Sequence, residues 1–286
     1  MKEVIVLSGK GGTGKTSIVA CLASLVGKCV IADCDVDTAD LHLILAPSIK
    51  EKHVFICGKE AAIIQEKCTS CGKCFELCRF GAIKNEGVYL IDPLLCEGCG
   101  VCERFCPENA IAMQAAVSGE WYVSDIRMGK FIHARLKPPG ENSGKLVTVI
   151  RKQARLEAEK SRADFIISDG SPGIGCPVIA SVTGADYVLI VTEPTVSGLH
   201  DLRRIAELVS HFSLKSGIII NKFNINPEKC REVRAFADSG SIEVLGEIPF
   251  DYNFIKAQIA GKALVEYSHG ETAKAIKEIV EKICLI

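Results

Sequence analysis

Two stretches of this sequence carry residue types whose spacing can do chemistry. The first is Gly9-Lys10-Gly11-Gly12-Thr13-Gly14-Lys15-Thr16, followed by Ser17. Glycines let consecutive backbone N–H groups turn inward around phosphate oxygens. A helix beginning near Lys15 adds the partial positive charge of its N-terminus. The pattern G-x-x-x-x-G-K-[ST] assigns Lys15 to phosphate oxygens and the Thr16 hydroxyl to Mg2+, which makes residues 9–17 a candidate ATP site. The same residues contain Gly9-x-Gly11-x-x-Gly14 with Asp33 about 20 residues on, a dinucleotide fingerprint. That alternative leaves Lys15-Thr16 unexplained. A triphosphate site also needs an acid after a buried strand, and the apolar run 165–167 followed by Ser168-Asp169 supplies one.

The second stretch is Cys68-x2-Cys71-x2-Cys74-x3-Cys78, echoed with a period of 28 by Cys96-x2-Cys99-x2-Cys102-x3-Cys106. This is the spacing of bacterial ferredoxins. Three close thiolates wrap three corners of a cubane and the other repeat fills the fourth. Cys68, Cys71, Cys74 and Cys106 are thereby assigned to one [4Fe–4S] cluster, and Cys78, Cys96, Cys99 and Cys102 to a second. Arg79 stands where the motif usually has proline, whereas Pro107 keeps it. Zinc is the rival metal, but all-cysteine zinc sites pair two C-x2-C halves instead of a tight triplet plus one.

These residues need a frame. Apolar runs at 4–7 and 30–32 flank a helical pattern at 15–26, which is the opening of a doubly wound α/β fold. Further strands are expected at 165–168, 187–191, 217–220 and 242–248. Helices are expected at 143–161, 197–212, 227–238 and 271–283. The cysteine-rich, turn-rich segment breaks this alternation. The expected organisation is a mostly parallel P-loop domain, 1–58 and 113–286, with a small inserted α+β ferredoxin-like domain, 59–112. Residues 113–142 carry no clear period, and Pro138-Pro139-Gly140 marks a loop.

The extra lysine in the loop, Lys10, gives K-G-G-x-G-K-[ST], and here the chain resembles the MinD/ParA family of deviant Walker-A ATPases. The resemblance implies a homodimer that sandwiches ATP, in which Lys10 reaches the partner's phosphates. It continues at Asp33-Cys34-Asp35, where Asp35 is implied to position the attacking water and to sit by Mg2+. It also covers Asp169-Gly170-Ser171-Pro172-Gly173, with Asp169 supporting Mg2+ and Ser171 replacing the first proline of D-x-P-P-G. Asn221 matches the asparagine that reads adenine, and Pro249 lies in the base-side loop. Cys176, seven residues past Asp169, is similar in offset to a cluster cysteine of the nitrogenase iron protein. No cysteine lies between Cys106 and Cys176 to complete such a bridge. Cys176 and Cys21, Cys29, Cys34, Cys57, Cys230 and Cys284 are expected to be small apolar fillers, and Cys34, between two acids, is the one of them to probe for reactivity.

Composition sets the outer limits. Thirty-four basic against 35 acidic residues leave a net charge of −1, without the basic excess of a nucleic-acid binder. Hydrophobic residues make up 48%, enough for a packed core, yet no apolar run reaches the length of a membrane span. The C-terminal helix balances Lys274, Lys277 and Lys282 against Glu271, Glu278 and Glu281, so docking on the domain is expected, not membrane insertion. Fifteen cysteines with no export signal fit a reducing, cytoplasmic setting. The expectation is a slow Mg-ATPase that couples nucleotide state to electron transfer through two clusters to an unidentified redox partner. The alternatives are an iron–sulfur or metallocofactor assembly carrier, as in Mrp-type scaffolds, and a MinD-like positioning switch with a redox sensor.

Overall fold

The computed structural model describes residues 1–137 and 142–285. The strands are β1 (Lys2–Ser8), β2 (Cys29–Asp33), β3 (Ser48–Ile63), β4 (Ile83–Asn85), β5 (Tyr89–Ile91), β6 (Ile111–Ile126), β7 (Gly129–Leu136), β8 (Phe165–Asp169), β9 (Tyr187–Thr192), β10 (Lys215–Asn221) and β11 (Glu243–Ile248). The helices are α1 (Lys15–Leu25), α2 (Leu41–Leu45), α3 (Lys73–Leu77), α4 (Val101–Arg104), α5 (Ser143–Ser161), α6 (Cys176–Val182), α7 (Val196–His211), α8 (Pro227–Ser239), α9 (Asn253–Ile259), α10 (Leu264–Tyr267) and α11 (Glu271–Leu285). None is long and apolar enough to cross a membrane.

The chain forms two compact units. The first holds Met1–Lys52, Trp121–Arg135 and Ser143–Ile286, and the second holds His53–Glu120 and Leu136–Asn142. The expected insert, 59–112, lies within the second unit, which is wider because β3 and β6 continue as strands on either side of it. Residues 113–142, unassigned in the sequence, supply β6 and β7; the loop at 138–140 lies outside the described residues.

The large sheet has the order β11-β10-β9-β1-β8-β2-β7-β6-β3. From β11 to β7 every pairing is parallel. Burial on both faces explains the continuous apolar strands. Val4 and Val6 of β1 join a core built with α1, α10 and α11, while Ile5 and Leu7 join the opposite core with α6, α7 and α8. Parallel strands bring their carboxyl ends to one edge, where loops can gather polar side chains without breaking the ladder. Ser8, Asp33, Asp169, Thr192 and Asn221 all end strands at that edge.

In the second unit the cysteine repeats become two similar turns. Gly72 precedes α3 at φ 80° and Gly100 precedes α4 at φ 73°, left-handed positions that favour glycine. A short antiparallel pair, β4 and β5, lies between them in sequence.

Candidate functional site

The glycine loop leaves β1 at Ser8 and enters α1 at Lys15. Gly14 sits at φ 88°, and a Cβ there would collide with the Asn221 amide nitrogen, so the position demands glycine twice over. Asn221 Nδ2 donates to Thr13 O at 2.7 Å, and Lys222 Nζ donates to Gly12 O at 3.0 Å. The ends of β10 thereby grip the loop from outside. Asn221, the expected adenine reader, is engaged in holding the loop.

Lys15 is 5% exposed and pairs with Asp169 and with Asp35 Oδ2, the latter at 3.4 Å. Burial alone would lower the Lys15 pKa, but the two carboxylates outweigh it and hold the ammonium above its ordinary value. Asp35 is pushed up, chiefly by burial, against the pull of Lys15 and a 2.9 Å hydrogen bond from Thr38 Oγ1. Asp33 is pushed well up by burial and by the neighbouring Asp169. Its Oδ1 accepts from Asp35 N at 3.2 Å, while Oδ2 is buried with no partner. Thr13 Oγ1 is a second buried polar atom at the loop without a partner. Three carboxylates, one lysine and two orphaned oxygens suit a hydrated divalent cation with a polyanion. Of the expected cation residues, Asp35 and Asp169 meet around Lys15, and Thr16 stands at the start of α1.

Lys10 is held within its own chain. Its Nζ lies 2.7 Å from Glu193 Oε1 and 2.8 Å from Ser197 Oγ. Glu193 also binds Lys222 at 3.0 Å. Burial opposes the Glu193 charge, but the two lysines overcome it and lower its pKa. Glu193, Lys222 and the Ser171 hydroxyl were not singled out by sequence reasoning. Lys222 and Gly12 are 210 residues apart, and no local pattern announces such a contact. Pro249, just after β11, is half-buried and precedes Phe250, whose N–H donates to Asn224 Oδ1 at 2.8 Å.

Cys34 is fully buried, as expected of a filler, and burial pushes its thiol pKa far up, so a probe of its reactivity would find it inert. Two other thiol expectations need correction. Cys176 and Cys284 are exposed, not apolar fillers. Cys176 begins α6 on a surface turn, and Cys284 lies on the outer side of α11.

The eight repeat cysteines divide between two cavities of the second unit. One, of about 370 Å³, is lined by Cys78, Cys96, Cys99 and Cys102. The other, of about 20 Å³, is lined by Cys68, Cys71, Cys74 and Cys106. Backbone N–H groups point at two of the sulfurs, Ala61 N to Cys96 Sγ at 3.5 Å and Ala110 N to Cys106 Sγ at 3.3 Å. Among the described residues no three His, Cys, Asp or Glu side chains converge on a point that one metal ion could occupy. The thiols line the walls of the two cavities, four to each, which is the number of sulfurs a [4Fe–4S] core would need.

A family model described as the CobQ/CobB/MinD/ParA nucleotide binding domain matches residues 4–265. An uncharacterized protein of Methanocaldococcus jannaschii is 34% identical over 285 residues, 98% of this chain and 96% of that protein. An iron-sulfur cluster carrier protein of Pyrococcus abyssi is 27% identical over 152 residues, 49% of this chain and 52% of its own. The septum site-determining protein MinD of Pyrococcus horikoshii, solved with Mg-ADP, has the same fold. It superposes with a TM-score of 0.60 at 17% identity, over 99% of this chain and 95% of that one.

Proposed function

The chain belongs to the CobQ/CobB/MinD/ParA nucleotide-binding family, and from that premise we propose that it is a dimeric Mg-ATPase whose nucleotide state governs electron transfer through two [4Fe–4S] clusters. The observation that carries the nucleotide half is Lys15 of the glycine loop, buried between Asp169 and Asp35 at the carboxyl ends of parallel strands. An entering triphosphate takes Lys15 from the two acids. The freed acids, with Asp33 Oδ2 and the Thr16 hydroxyl, would hold a hydrated Mg2+, which when bound would offset charge on the phosphates. Asp35 orients the attacking water. Lys10 leaves Glu193 to reach across a homodimer, as the family resemblance implies, and adds positive charge where the transition state gains negative charge.

The redox half is supported by the partition of eight thiols between two cavities. When bound, such clusters supply one-electron chemistry. The chain's part is to supply four sulfurs to each cluster and to aim N–H groups at Cys96 and Cys106, which stabilises added negative charge. The acceptor is a redox protein. A second reading is that the clusters are cargo; similarity over half the chain to an iron-sulfur cluster carrier protein favours it.

Anaerobic EPR of the reduced protein, with and without Mg-ATP, tests the coupling. A nucleotide-dependent change in the cluster signal is the expected result. Identical spectra, in a protein that carries iron and hydrolyses ATP, defeat the coupling. Transfer of iron and sulfide to an apo-ferredoxin at a rate matching turnover puts the cargo reading first.

A further inference from the structure

Cys34 separates the two acids of the D-x-D segment, and both of its backbone groups are held by the segment that begins at Asp169. Cys34 N donates to Asp169 O at 2.8 Å. Ser171 Oγ donates to Cys34 O at 2.9 Å. Ser171 is 4% exposed and Cys34 is 0% exposed, so neither group has water as a substitute partner. On either side of Ser171, Gly170 N is fixed to Val6 O at 2.9 Å and Gly173 N to Ser8 O at 3.0 Å. The hydroxyl is therefore presented from a backbone anchored to the end of β1, and it reaches over to the segment after β2.

We propose that Ser171 is a positioning residue that makes the two acidic segments move as one when nucleotide arrives. The proposal rests on the reading of this site as an ATPase, and it adds a residue whose role is peculiar to the serine. Lys15 touches Asp35 and Asp169 together. When phosphate draws Lys15 away, both carboxylates lose their counterion and must settle at new distances from the cation and the attacking water. Two hydrogen bonds through one residue, Cys34, keep the spacing of Asp35 from Asp169 fixed during that shift. A proline at 171, the residue the D-x-P-P-G pattern would place there, has no donor to give Cys34 O. The side-chain half of the link exists in this chain because position 171 is serine. Ser171 touches neither phosphate nor water in this role; it acts through Asp35.

The test compares ATP hydrolysis by the full chain carrying Ser171→Ala, Ser171→Pro or Ser171→Thr, with urea unfolding run in parallel. Ser171→Ala and Ser171→Pro are expected to lower kcat by about tenfold, the scale of one buried hydrogen bond left unmade. The ATP KM should stay within about twofold, because the glycine loop supplies ground-state binding. Ser171→Thr keeps a hydroxyl and is expected to restore kcat to within about twofold. A Ser171→Ala protein with unchanged kcat overturns the proposal and leaves the ATPase reading standing. So does a Ser171→Thr protein as slow as Ser171→Ala, since the hydroxyl would then not be the cause. A wild-type chain that binds Mg-ATP and never hydrolyses it overturns the ATPase reading and this proposal with it.

Discussion

Replacing Glu193 by glutamine is expected to release Lys10 and tighten the ATP-bound dimer. In the single chain Lys10 Nζ sits 2.7 Å from a carboxylate whose side chain is 11% exposed, while Lys10 itself is 34% exposed. A hydrogen bond between charged partners contributes about 1.5–3 kcal/mol when enclosed. Solvent screening at the lysine end reduces that to about 1 kcal/mol. A homodimer must break two such contacts, so removing both favours association by about 2 kcal/mol, a factor of about 30 in the dimer dissociation constant. Sedimentation velocity across a concentration series, with a non-hydrolysable ATP analogue and Mg2+, measures that constant. Glu193 also binds Lys222, so Lys222→Gln serves as the control and is expected to leave the constant within about threefold. Adding Lys10→Ala to Glu193→Gln should remove the gain. If Glu193→Gln dimerises no more tightly than wild type, the idea that Glu193 withholds Lys10 from the partner is wrong.

The other expectations are more compact. Cys71→Ser and Cys99→Ser each alter one cavity, and each is expected to cut iron after anoxic reconstitution from about eight to about four atoms per chain; loss of all iron from either variant contradicts two separate cages. His133 is stacked against Phe131 and Tyr122, and burial lowers its pKa to about 4 from 6.5. The unfolded chain therefore binds the extra proton between those values. The stability this residue contributes is complete above pH 6.5 and is lost as pH falls toward 4, by up to about 3 kcal/mol. Urea midpoints of His133→Gln should lose that part of the pH slope, and an unchanged slope refutes the assignment. Glu3→Ala strands Arg151, which is 5% exposed and already has an unpaired Nη2. The expected cost is about 3–5 kcal/mol in urea unfolding, and a loss below about 1 kcal/mol would show that Arg151 finds another partner.

The chemistry-bearing motifs were legible because they are local. Residues 9–16 are one contiguous loop and helix start, each cysteine triplet spans seven residues, and the doubly buried strands announce themselves as unbroken apolar runs. β3 was not legible. Its residues SIKEKHVFICGKEAAI are mostly exposed, carry charge on both faces and hold no sustained alternation. β6 likewise holds no sustained alternation over its first ten residues, which carry only one charge. Cys34 was worth a reactivity probe because it lies inside the D-x-D segment, but sequence hides its complete burial, and its acidic neighbours push the thiol pKa further up. Glu193 and Lys222 act across the ends of separate strands, so only the fold brings them to the loop.

Three lysines at this edge, two in the loop and Lys222 beside it, have their own acids. Lys15 faces Asp35 and Asp169, and Lys10 and Lys222 share Glu193. A nucleotide approaching this edge meets ion pairs already closed, not a bare positive funnel, so little long-range field steers it inward. Capture becomes an exchange of carboxylate for phosphate, paced by how often those pairs open. Added salt, which slows steered encounters, has correspondingly little to screen.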